Sequence, residues 1–513
     1  MIEVTLAKQS SDAPGVSGKK GFGSIDHRAV WGLGLLAFSA VSHADLTDFA
    51  GQFSSQLEEI SAIGSQNTFN SLDPQCAGGV SVNCDSGTFQ VYANVRDLVH
   101  TANELSGSGP TAHSLGIDFE SLGFALRWTA AEETSAQESM ASDFVTDQFG
   151  QLAGRLTALR RASRGTSIAS NDWKLPPILS FSDGRRSYSV PVLSFSGSEQ
   201  SASEPLFTPT SAIALTSYGW GNQEATELED AFDFTANNLS VGFDYRLSPT
   251  LFTGLIIGFS QTDIEFDSTR SIADGGIESE GVALTGYVLF YKNDFFFSSS
   301  LGFQSMDFDM TRRIIYPSLN LDASQVNETA LSSTDAQVIT SSASVGYSWQ
   351  KGKWSIEPSV YLQYVDIEIS AFDEDGSANG FDFRFNQQNI YSLEATASVK
   401  AQYAWSNSFG VVLPFVSADF HSEQKNDSRT ISAEFLGVSS GNSSTAFQVA
   451  TDAPDANYYT VSLGANAVVR GSRQKAADSA SSGGVQVYFT YQVVLQLENY
   501  NENTLTTGLR YEF

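Results

Sequence analysis

The run from 503 to 513 alternates between two kinds of side chain without interruption, and no other feature constrains the fold as strongly. One face carries Leu505, Thr507, Leu509, Tyr511 and Phe513, and the other carries Thr504, Thr506, Gly508, Arg510 and Glu512. A period of two is typical of a β-strand whose faces meet different solvents. Since an apolar edge strand would aggregate in water, the run predicts the closing strand of a transmembrane barrel.

The same alternation recurs upstream, where apolar residues alternate with small or charged ones. From Leu239 to Leu247, for example, the alternate positions include Ser240, Asp244 and Arg246. We predict twelve strands, at about 212–221, 237–247, 250–264, 280–291, 294–309, 336–350, 353–369, 388–405, 408–422, 457–470, 485–497 and 503–513. An even number of strands near or above the roughly nine to eleven residues that cross a bilayer is typical of outer-membrane barrels. A soluble β-sandwich or lipocalin-like barrel would bury the apolar face, which these alternate residues would cover poorly.

The predicted fold class is therefore mainly β: a 12-stranded antiparallel transmembrane β-barrel over 210–513, preceded by a small, mostly α-helical region over 45–165. Charged residues at inward positions are the candidate lining of a pore: Asp244, Arg246, Glu394, Lys400, Arg510 and Glu512. Half of the side chains of such a barrel's strands face water, which agrees with a chain that is only 41% hydrophobic.

The N-terminal segment has the pattern of a secretory signal peptide. A short apolar core from Val30 to Val41 follows the basic residues Lys19, Lys20 and Arg28 and precedes small residues up to Ala44. This arrangement predicts a leader over 1–44 that is cut after Ala44. Export brings the chain into an oxidising compartment, where the only two cysteines, Cys76 and Cys84, are expected to form a disulfide.

Loop lengths and charge predict the topology. Connections after the odd-numbered strands are long, and those after the even-numbered strands are tight turns except Gly471–Gly484, so the long loops are expected outside the cell. They concentrate acidic residues: Glu224, Glu227, Glu229, Asp230, Asp233, Glu265, Asp267, Asp274, Glu278, Glu280, Asp373, Glu374, Asp375 and Asp382. A net charge of −30 excludes nucleic acid as a partner. It suits an anionic surface among outer-membrane lipid and lipopolysaccharide bridged by divalent ions. The acidic run 373–376 lacks the rest of a calcium loop, so no metal site or cofactor is predicted.

Apolar spacing upstream of the barrel predicts two helical pairs, over 45–106 and 114–164. Two interpretations of the cationic end stay open. In the first interpretation, one helix plugs the lumen, and its arginines face the interior carboxylates of Asp244, Glu394 and Glu512. In the second, the arginines only balance the partial negative charge at a helix C-terminus. These arginines are Arg155, Arg160, Arg161 and Arg164. The segment 166–209 is a predicted linker. Its part from Leu175 to Pro209 is an alternative to the helix as the segment that passes through the pore.

At this point the residues resemble a known family. The runs Asn237–Arg246 and Phe252–Ser260 are similar to the second and third strands of the bacterial autotransporter translocator domain of type V secretion. The triplet 217–219, the run 413–416 and the last six residues fit the same pattern, so the resemblance covers about 210–513. Upstream, 131–137 and 151–161 resemble the helical segment that precedes the barrel in one proteobacterial branch.

The resemblance implies a location and partners. The Sec translocon would export the chain, and the barrel-assembly machinery would insert the barrel into the bacterial outer membrane as a monomer. That machinery would read an assembly signal in the last strand: Leu509, Tyr511 and Phe513. Upstream sequence would then pass through the barrel to the cell surface.

Catalysis has little support in the sequence. After the leader, only His100, His113 and His421 remain as histidines, and Ser86 lies in a Cys-Asp-Ser-Gly run that departs from the Gly-Asp-Ser-Leu box of lipase-like passengers. We therefore predict a protein that is not an enzyme. Its expected function is to translocate or display the short helical region. The alternatives are a non-secreting structural barrel or narrow pore with a helical plug and, more remotely, a surface hydrolase.

Overall fold

The computed structural model describes residues 45–162, 178–182, 187–191, 208–248, 250–266, 273–377, 380–407, 410–425, 428–438, 447–470 and 485–512. The predicted signal peptide lies outside these residues, as does most of the predicted linker 166–209. Of that linker, the structure describes two short strands that pair antiparallel, β1 (Ile178–Ser182) and β2 (Ser187–Pro191), and residues 208–209, which begin the first barrel strand.

The N-terminal region is helical. Its helices are α1 (Gln56–Cys76), α2 (Ser86–Ser106), α3 (Phe119–Trp128) and α4 (Ala136–Ala162), with short 3-10 helices at Leu46–Phe49 and Glu132–Ser135. The side chains of Ser55, Asp85 and Asp118 each accept a backbone N–H at the start of α1, α2 and α3, which satisfies donors that a helix leaves free. The predicted disulfide between Cys76 and Cys84 is confirmed and closes the turn between α1 and α2. Among the described residues, no helix is long and apolar enough to span a membrane.

The remaining strands follow in chain order. They are β3 (Thr208–Gln223), β4 (Phe232–Ser248), β5 (Leu251–Phe266), β6 (Gly275–Lys292), β7 (Phe295–Tyr316), β8 (Val326–Tyr347), β9 (Trp349–Lys351), β10 (Trp354–Ile369), β11 (Phe372–Asp373), β12 (Phe383–Phe385), β13 (Gln388–Tyr403), β14 (Trp405–Asn407), β15 (Gly410–Glu423), β16 (Thr430–Phe435), β17 (Phe447–Ala450), β18 (Asn457–Arg470), β19 (Val485–Leu495) and β20 (Tyr500–Glu512).

Twelve of these strands form the predicted closed antiparallel barrel, which is therefore confirmed. Each barrel strand pairs with its neighbours along the chain, and the last strand, β20, pairs with the first, β3, from Tyr500 opposite Gln223 to Glu512 opposite Ser211. The short strands β9 and β14 continue β8 and β13 at one end of the barrel. We call that end, where tight turns join β4 to β5 and β6 to β7, the turn end, and the opposite end the loop end.

Several strands extend further toward the loop end than alternation predicted. Strands β7 and β8 are each 22 residues long, against predicted ranges of 294–309 and 336–350. The prediction failed there because the outward side chains stay polar beyond the apolar band, as at Thr311 and Arg313. For the same reason, four acidic residues that we assigned to loops lie in barrel strands: Asp233, Glu265, Glu278 and Glu280. The connection between β19 and β20 is also short, only 496–499, although a long loop was expected after this strand.

Two long connections at the loop end build a second, small sheet. Strands β11, β12, β16 and β17 pair in that order, and we call them the loop sheet. Its inward aromatic residues, Phe372, Phe383, Phe385 and Phe435, belong to one continuous buried cluster that also includes side chains of α1, α2 and α4. The helical region therefore packs directly on the loop end of the barrel.

Candidate functional site: the barrel lumen and its helix

Helix α4 lies inside the barrel. It is 27 residues long, which at about 1.5 Å per residue gives roughly 40 Å, enough to run from one end of the lumen to the other. Its first turns pack beside inward residues near the loop end, since Phe144 lies against Gly281. Its last turns reach the turn end, where the Arg160 guanidinium lies 3.2 Å from the Glu357 carboxylate.

One wall of the lumen holds the helix through apolar contacts. Leu152, Leu156 and Leu159 occupy a single face of α4, at the four-and-three spacing of an amphipathic helix. They form a buried cluster with inward residues of β5, β6 and β7: Phe252, Ile256, Tyr287, Leu289 and Phe296. We call the surface formed by β4, β5, β6 and β7 the filled wall.

A buried ion pair fixes the helix against the filled wall. The Arg155 guanidinium lies 2.7 Å from the Asp244 carboxylate, and both side chains are completely buried. Arg155 also donates to the Tyr287 hydroxyl at 2.7 Å, while the hydroxyls of Tyr287 and Ser211 donate to Asp244. Removing one partner of such a pair leaves an uncompensated buried charge, so the pair specifies one position of the helix.

A second cationic contact lies one helical turn further. Arg160 donates to Glu357, and its guanidinium lies 3.7 Å from the centre of the Phe296 ring. Ser348 donates to the other oxygen of Glu357 at 2.9 Å. Sequence reasoning did not single out Glu357 as an interior carboxylate, although it lies in a predicted strand at a position of inward parity. The same alternation that identified Glu394 would have identified it.

The half of α4 nearer the loop end carries acidic side chains that meet hydroxyls. The Tyr500 hydroxyl donates to Asp143 at 2.6 Å, and the Ser217 hydroxyl donates to Asp147 at 2.7 Å. At the loop end itself, Arg429 pairs with Glu138 and donates to the backbone carbonyl of Ser135 at 3.1 Å. Charge along the lumen helix is thus divided, with carboxylates toward the loop end and arginines toward the turn end.

The opposite wall, formed by β10, β13, β15, β18 and β19, leaves open space beside the helix, and we call it the open wall. Two adjoining cavities of about 220 and 280 Å³ lie between it and α4. Both are lined by Glu394, His421 and Tyr458, which stand where the cavities meet. Glu394 accepts from the Tyr458 hydroxyl at 2.5 Å and lies 2.9 Å from His421 Nδ1. Gly150 and Gly154 of α4 line one of these cavities.

The structure separates the residues that were predicted to line a pore. Asp244 is buried under α4, whereas Glu394 and Lys400 face the open space, with the Lys400 ammonium 3.8 Å from the Phe415 ring centre. Arg510 is buried and donates to the Ser211 hydroxyl at 3.2 Å. Arg246 is exposed at the turn end beside Phe252. The side chains of Glu512, Arg161 and Arg164, together with Phe513, lie outside what the structure describes.

The residues weighed for catalysis or metal binding have structural partners. Asp85, beside Ser86, caps α2 by accepting the backbone N–H of Thr88 at 2.8 Å. In the acidic run 373–376, Glu374 forms a buried two-pronged ion pair with Arg312, while Asp373 pairs with Arg384. In the described part of the chain, no group of three or more His, Cys, Asp or Glu side chains is arranged to hold a metal ion.

Comparison with known proteins identifies the barrel. Residues 214–474 match the family model described as the autotransporter beta-domain, which is slightly more than half of the chain. No curated protein sequence matches the chain.

Three similar solved structures are translocator or transport domains of autotransporters. The translocator domain of NalP from Neisseria meningitidis is 14% identical with a TM-score of 0.44, and the match covers 60% of this chain and 89% of that one. The beta domain of Bordetella BrkA is 14% identical with a TM-score of 0.39, covering 59% and 100%. The transport unit of AIDA-I from Escherichia coli is 10% identical with a TM-score of 0.36, covering 59% and 90%.

The matched domain is a non-enzymatic transport domain of the bacterial outer membrane. Its strands, the closed barrel and the helix in the lumen agree with that assignment. The chain belongs to the autotransporter family.

Proposed function

We propose that this autotransporter carries its helical region, 45–135, to the cell surface and keeps it there as a folded cap on the barrel, with α4 retained in the lumen as a plug. The path of the chain carries the proposal. Helices α1, α2 and α3 lie at the loop end, α4 runs through the lumen, and β3 begins at the turn end, where Thr208 pairs with Arg246. Since the long loops of outer-membrane barrels face outside, one passage through the barrel puts the cap at the surface.

The cap is joined to the loop end by specific polar contacts. The backbone N–H of Leu319 donates to the Leu115 carbonyl at 2.8 Å, and the Thr88 hydroxyl donates to the Gly437 carbonyl at 2.9 Å. Arg127, at the end of α3, pairs with the buried carboxylate of Asp230. These contacts support retention of the cap rather than its release.

The surroundings of the barrel support the rest of the proposal. Outward side chains such as Leu284, Phe303 and Leu463 are exposed and apolar, as lipid contact requires. The acidic residues lie at or near the loop end, so they would face lipopolysaccharide and its divalent ions outside the cell. We expect a monomer that the Sec translocon exports and the barrel-assembly machinery inserts, without nucleic-acid partners and without enzymatic activity in the cap.

Thiol labelling of intact cells tests display of the cap. Ala112 is exposed between α2 and α3, so we expect Ala112→Cys to react with a membrane-impermeant maleimide on intact cells. Lys351→Cys, at the turn end, is the matched control and should react only after the outer membrane is permeabilised. If Ala112→Cys also reacts only after permeabilisation, the cap is periplasmic and the non-secreting barrel with a plug is the better description.

The assembly signal is tested separately. Deletion of Phe513 should lower the amount of barrel in the outer membrane, because the machinery would no longer read a terminal aromatic residue. The control is Trp405→Ala, which removes an exposed aromatic residue from another strand and leaves the last strand unchanged. Equal membrane levels of the deletion variant and the unchanged protein would contradict the assigned signal.

A further inference from the structure

Helices α1, α2 and α3 do not contain a complete core of their own. One buried cluster of 16 residues has ten members from the helical region and six from the barrel. The six are Ile314, Tyr316, Ala323, Val326, Ala330 and Phe381. They come from the loop-end parts of β7 and β8, their connection, and the segment before β12. The helical members include Leu98, Leu115, Leu122 and Leu126. A layer of the cap's core is therefore supplied by strands that rise beyond the apolar band.

The loop sheet supplies the other side. Leu57, Leu72, Val91 and Val95 of α1 and α2 lie in the same continuous cluster as the inward aromatic residues of the loop sheet. Gly380, just before β12, approaches the backbone of Val91 so closely that a Cβ there would lie 2.9 Å from its nitrogen. We call these two surfaces together, the loop-end parts of β7 and β8 and the loop sheet, the template surface.

Buried charges in the cap also depend on this surface. Arg312 of β7 is fully buried, pairs with Glu374 of the loop connection and donates to the Trp128 carbonyl at the end of α3 at 3.4 Å. Glu132 and Glu133, which follow α3, are buried too, and one oxygen of each has no hydrogen-bond partner. Such carboxylates are costly to bury without cations nearby. The Arg127 guanidinium lies 3.7 Å from Glu132, and Arg312 is among the charges that act on Glu133.

The small size of the cap makes it depend more strongly on the template surface. The cap comprises roughly 90 residues with one disulfide, and domains of this size leave a large fraction of their surface exposed and have only a few kcal/mol of stability to lose. Without the template surface, the cap loses one layer of its core and the Arg312 guanidinium, the cation that acts on the buried Glu133, while Arg127 next to Glu132 belongs to the cap itself.

We propose that the template surface is the folding template of the exported helices, which complete their core only after they leave the lumen. The inference rests on the proposed display of the cap. Before passage, the template surface is on the far side of the membrane, so the helices stay unfolded and narrow enough for a lumen that holds one helix. After passage, folding onto the template surface retains them outside.

A reporter cysteine in the full chain tests the template. Ser65 is buried in α1, and Ser65→Cys is nearly isosteric, so a thiol there should be protected on intact cells while the cap is folded. Ile314→Asp places a charge in the template surface, and Thr311→Asp places the same charge on the exposed outer face of the same strand. We expect labelling of Ser65→Cys to become at least about tenfold faster with Ile314→Asp, since local opening then becomes frequent. Thr311→Asp should change little. Heat-modifiable gel mobility reports whether the barrel is folded in each case.

The outcomes are distinct. If Ser65→Cys stays protected in Ile314→Asp with a folded barrel, the helices fold by themselves and the template is wrong. If Ile314→Asp unfolds the barrel, Tyr316→Ser at the end of β7 repeats the test. Loss of the barrel in both variants would also overturn the inference, because these residues would then support the barrel rather than the cap. Failure of display is a separate result, seen as absent labelling of Ala112→Cys in the otherwise unchanged protein.

Discussion

The two walls of the lumen treat the same helix differently. The filled wall contacts α4 through leucines, aromatic rings and the buried Arg155–Asp244 pair. The open wall contacts it through Glu357 of β10, which pairs with Arg160, and otherwise faces it across two cavities lined largely by serine, threonine and a few charged side chains. A helix that only had to block a pore would be expected to pack closely against both walls. The difference indicates that α4 is positioned mainly by the filled wall, while the open wall leaves polar cavities beside the helix.

The largest effect should come from breaking the buried ion pair. Asp244→Ala leaves the Arg155 guanidinium buried without its partner, which costs about 3–5 kcal/mol. We expect α4 to leave the lumen for much of the time, which planar-bilayer recordings would show as large conductance openings. Asp419→Ala removes a carboxylate from the open wall and is the control. Equal conductance changes in the two variants would show that the walls do not differ in how they hold the helix.

Apolar contacts should give the next largest effect. Leu156→Ala removes a buried side chain from the filled-wall cluster, and such substitutions cost about 2–5 kcal/mol. Phe415→Ala on the open wall removes a larger side chain whose surroundings include a cavity, so its cost should be smaller. Denaturant unfolding of both variants in detergent, followed by tryptophan fluorescence, measures the two losses. A greater loss for Phe415→Ala would reverse the assignment of the supporting wall.

The cap at the loop end should loosen as pH rises. Burial raises the pKa of Glu133 to about 7 and that of Glu229 to about 7, above their ordinary value of 4.5. Glu133 lies in the cap, and Glu229 lies in the connection between β3 and β4, whose Asp230 pairs with Arg127 of the cap. The folded loop end therefore binds more protons than the unfolded one between these pKa values, and its stability falls as pH rises through them. Burial lowers the pKa of His100 to about 4, below its ordinary value of about 6.5. This histidine makes stability rise with pH, but only below about pH 6.5, so it does not oppose the two carboxyl groups above that pH.

From pH 6 to pH 8 the two carboxyl groups dominate, and we expect a loss of roughly 1–3 kcal/mol. Labelling of Ser65→Cys on intact cells should therefore be faster at pH 8, after correction for the reactivity of a free thiol. The double variant Glu133→Gln with Glu229→Gln should remove most of this dependence. An unchanged pH dependence in that variant would mean that other groups titrate.

The smallest expected effects are those of single methyl groups. A Cβ at Gly154, on the open side of α4, would meet no atom within 4 Å, so Gly154→Ala should stabilise the helix by up to about 1 kcal/mol. At Gly258, on the filled wall, a Cβ would lie 2.5 Å from the Gln148 amide. Gly258→Ala should therefore displace this flexible amide from the Ser240 hydroxyl and destabilise the protein by about 0.5–1.5 kcal/mol. If the two variants change the free energy of unfolding in the same direction, the filled and open walls do not differ in how closely they pack against α4.

Alternation along the chain was sufficient to predict the barrel and its strand number, because lipid and water divide the side chains of every membrane-crossing strand. It was insufficient beyond the lipid, where outward residues such as Thr311 and Arg313 of β7 are polar as well. The loop sheet could not be predicted either, since strands of two to six residues carry too few alternations to recognise.

The lumen was only partly predictable. Inward parity identified Asp244 and Glu394 as interior carboxylates, and helical spacing identified the segment that contains Arg155. Which carboxylate meets which arginine depends on how far the helix enters the barrel, and the sequence carries no measure of that depth. Glu394 was expected near the arginines, but it contacts His421 and Tyr458 instead.

The cross-link between Cys76 and Cys84 joins residues that are only eight apart. Two chain segments held side by side are separated by roughly 5 Å, so such a closed loop is about as wide as a helix with its side chains, roughly 10–12 Å. A bore that accommodates α4 therefore accommodates the oxidised loop as well. Oxidation and passage need no fixed order in time, and a cell that oxidises this pair early does not obstruct its own export.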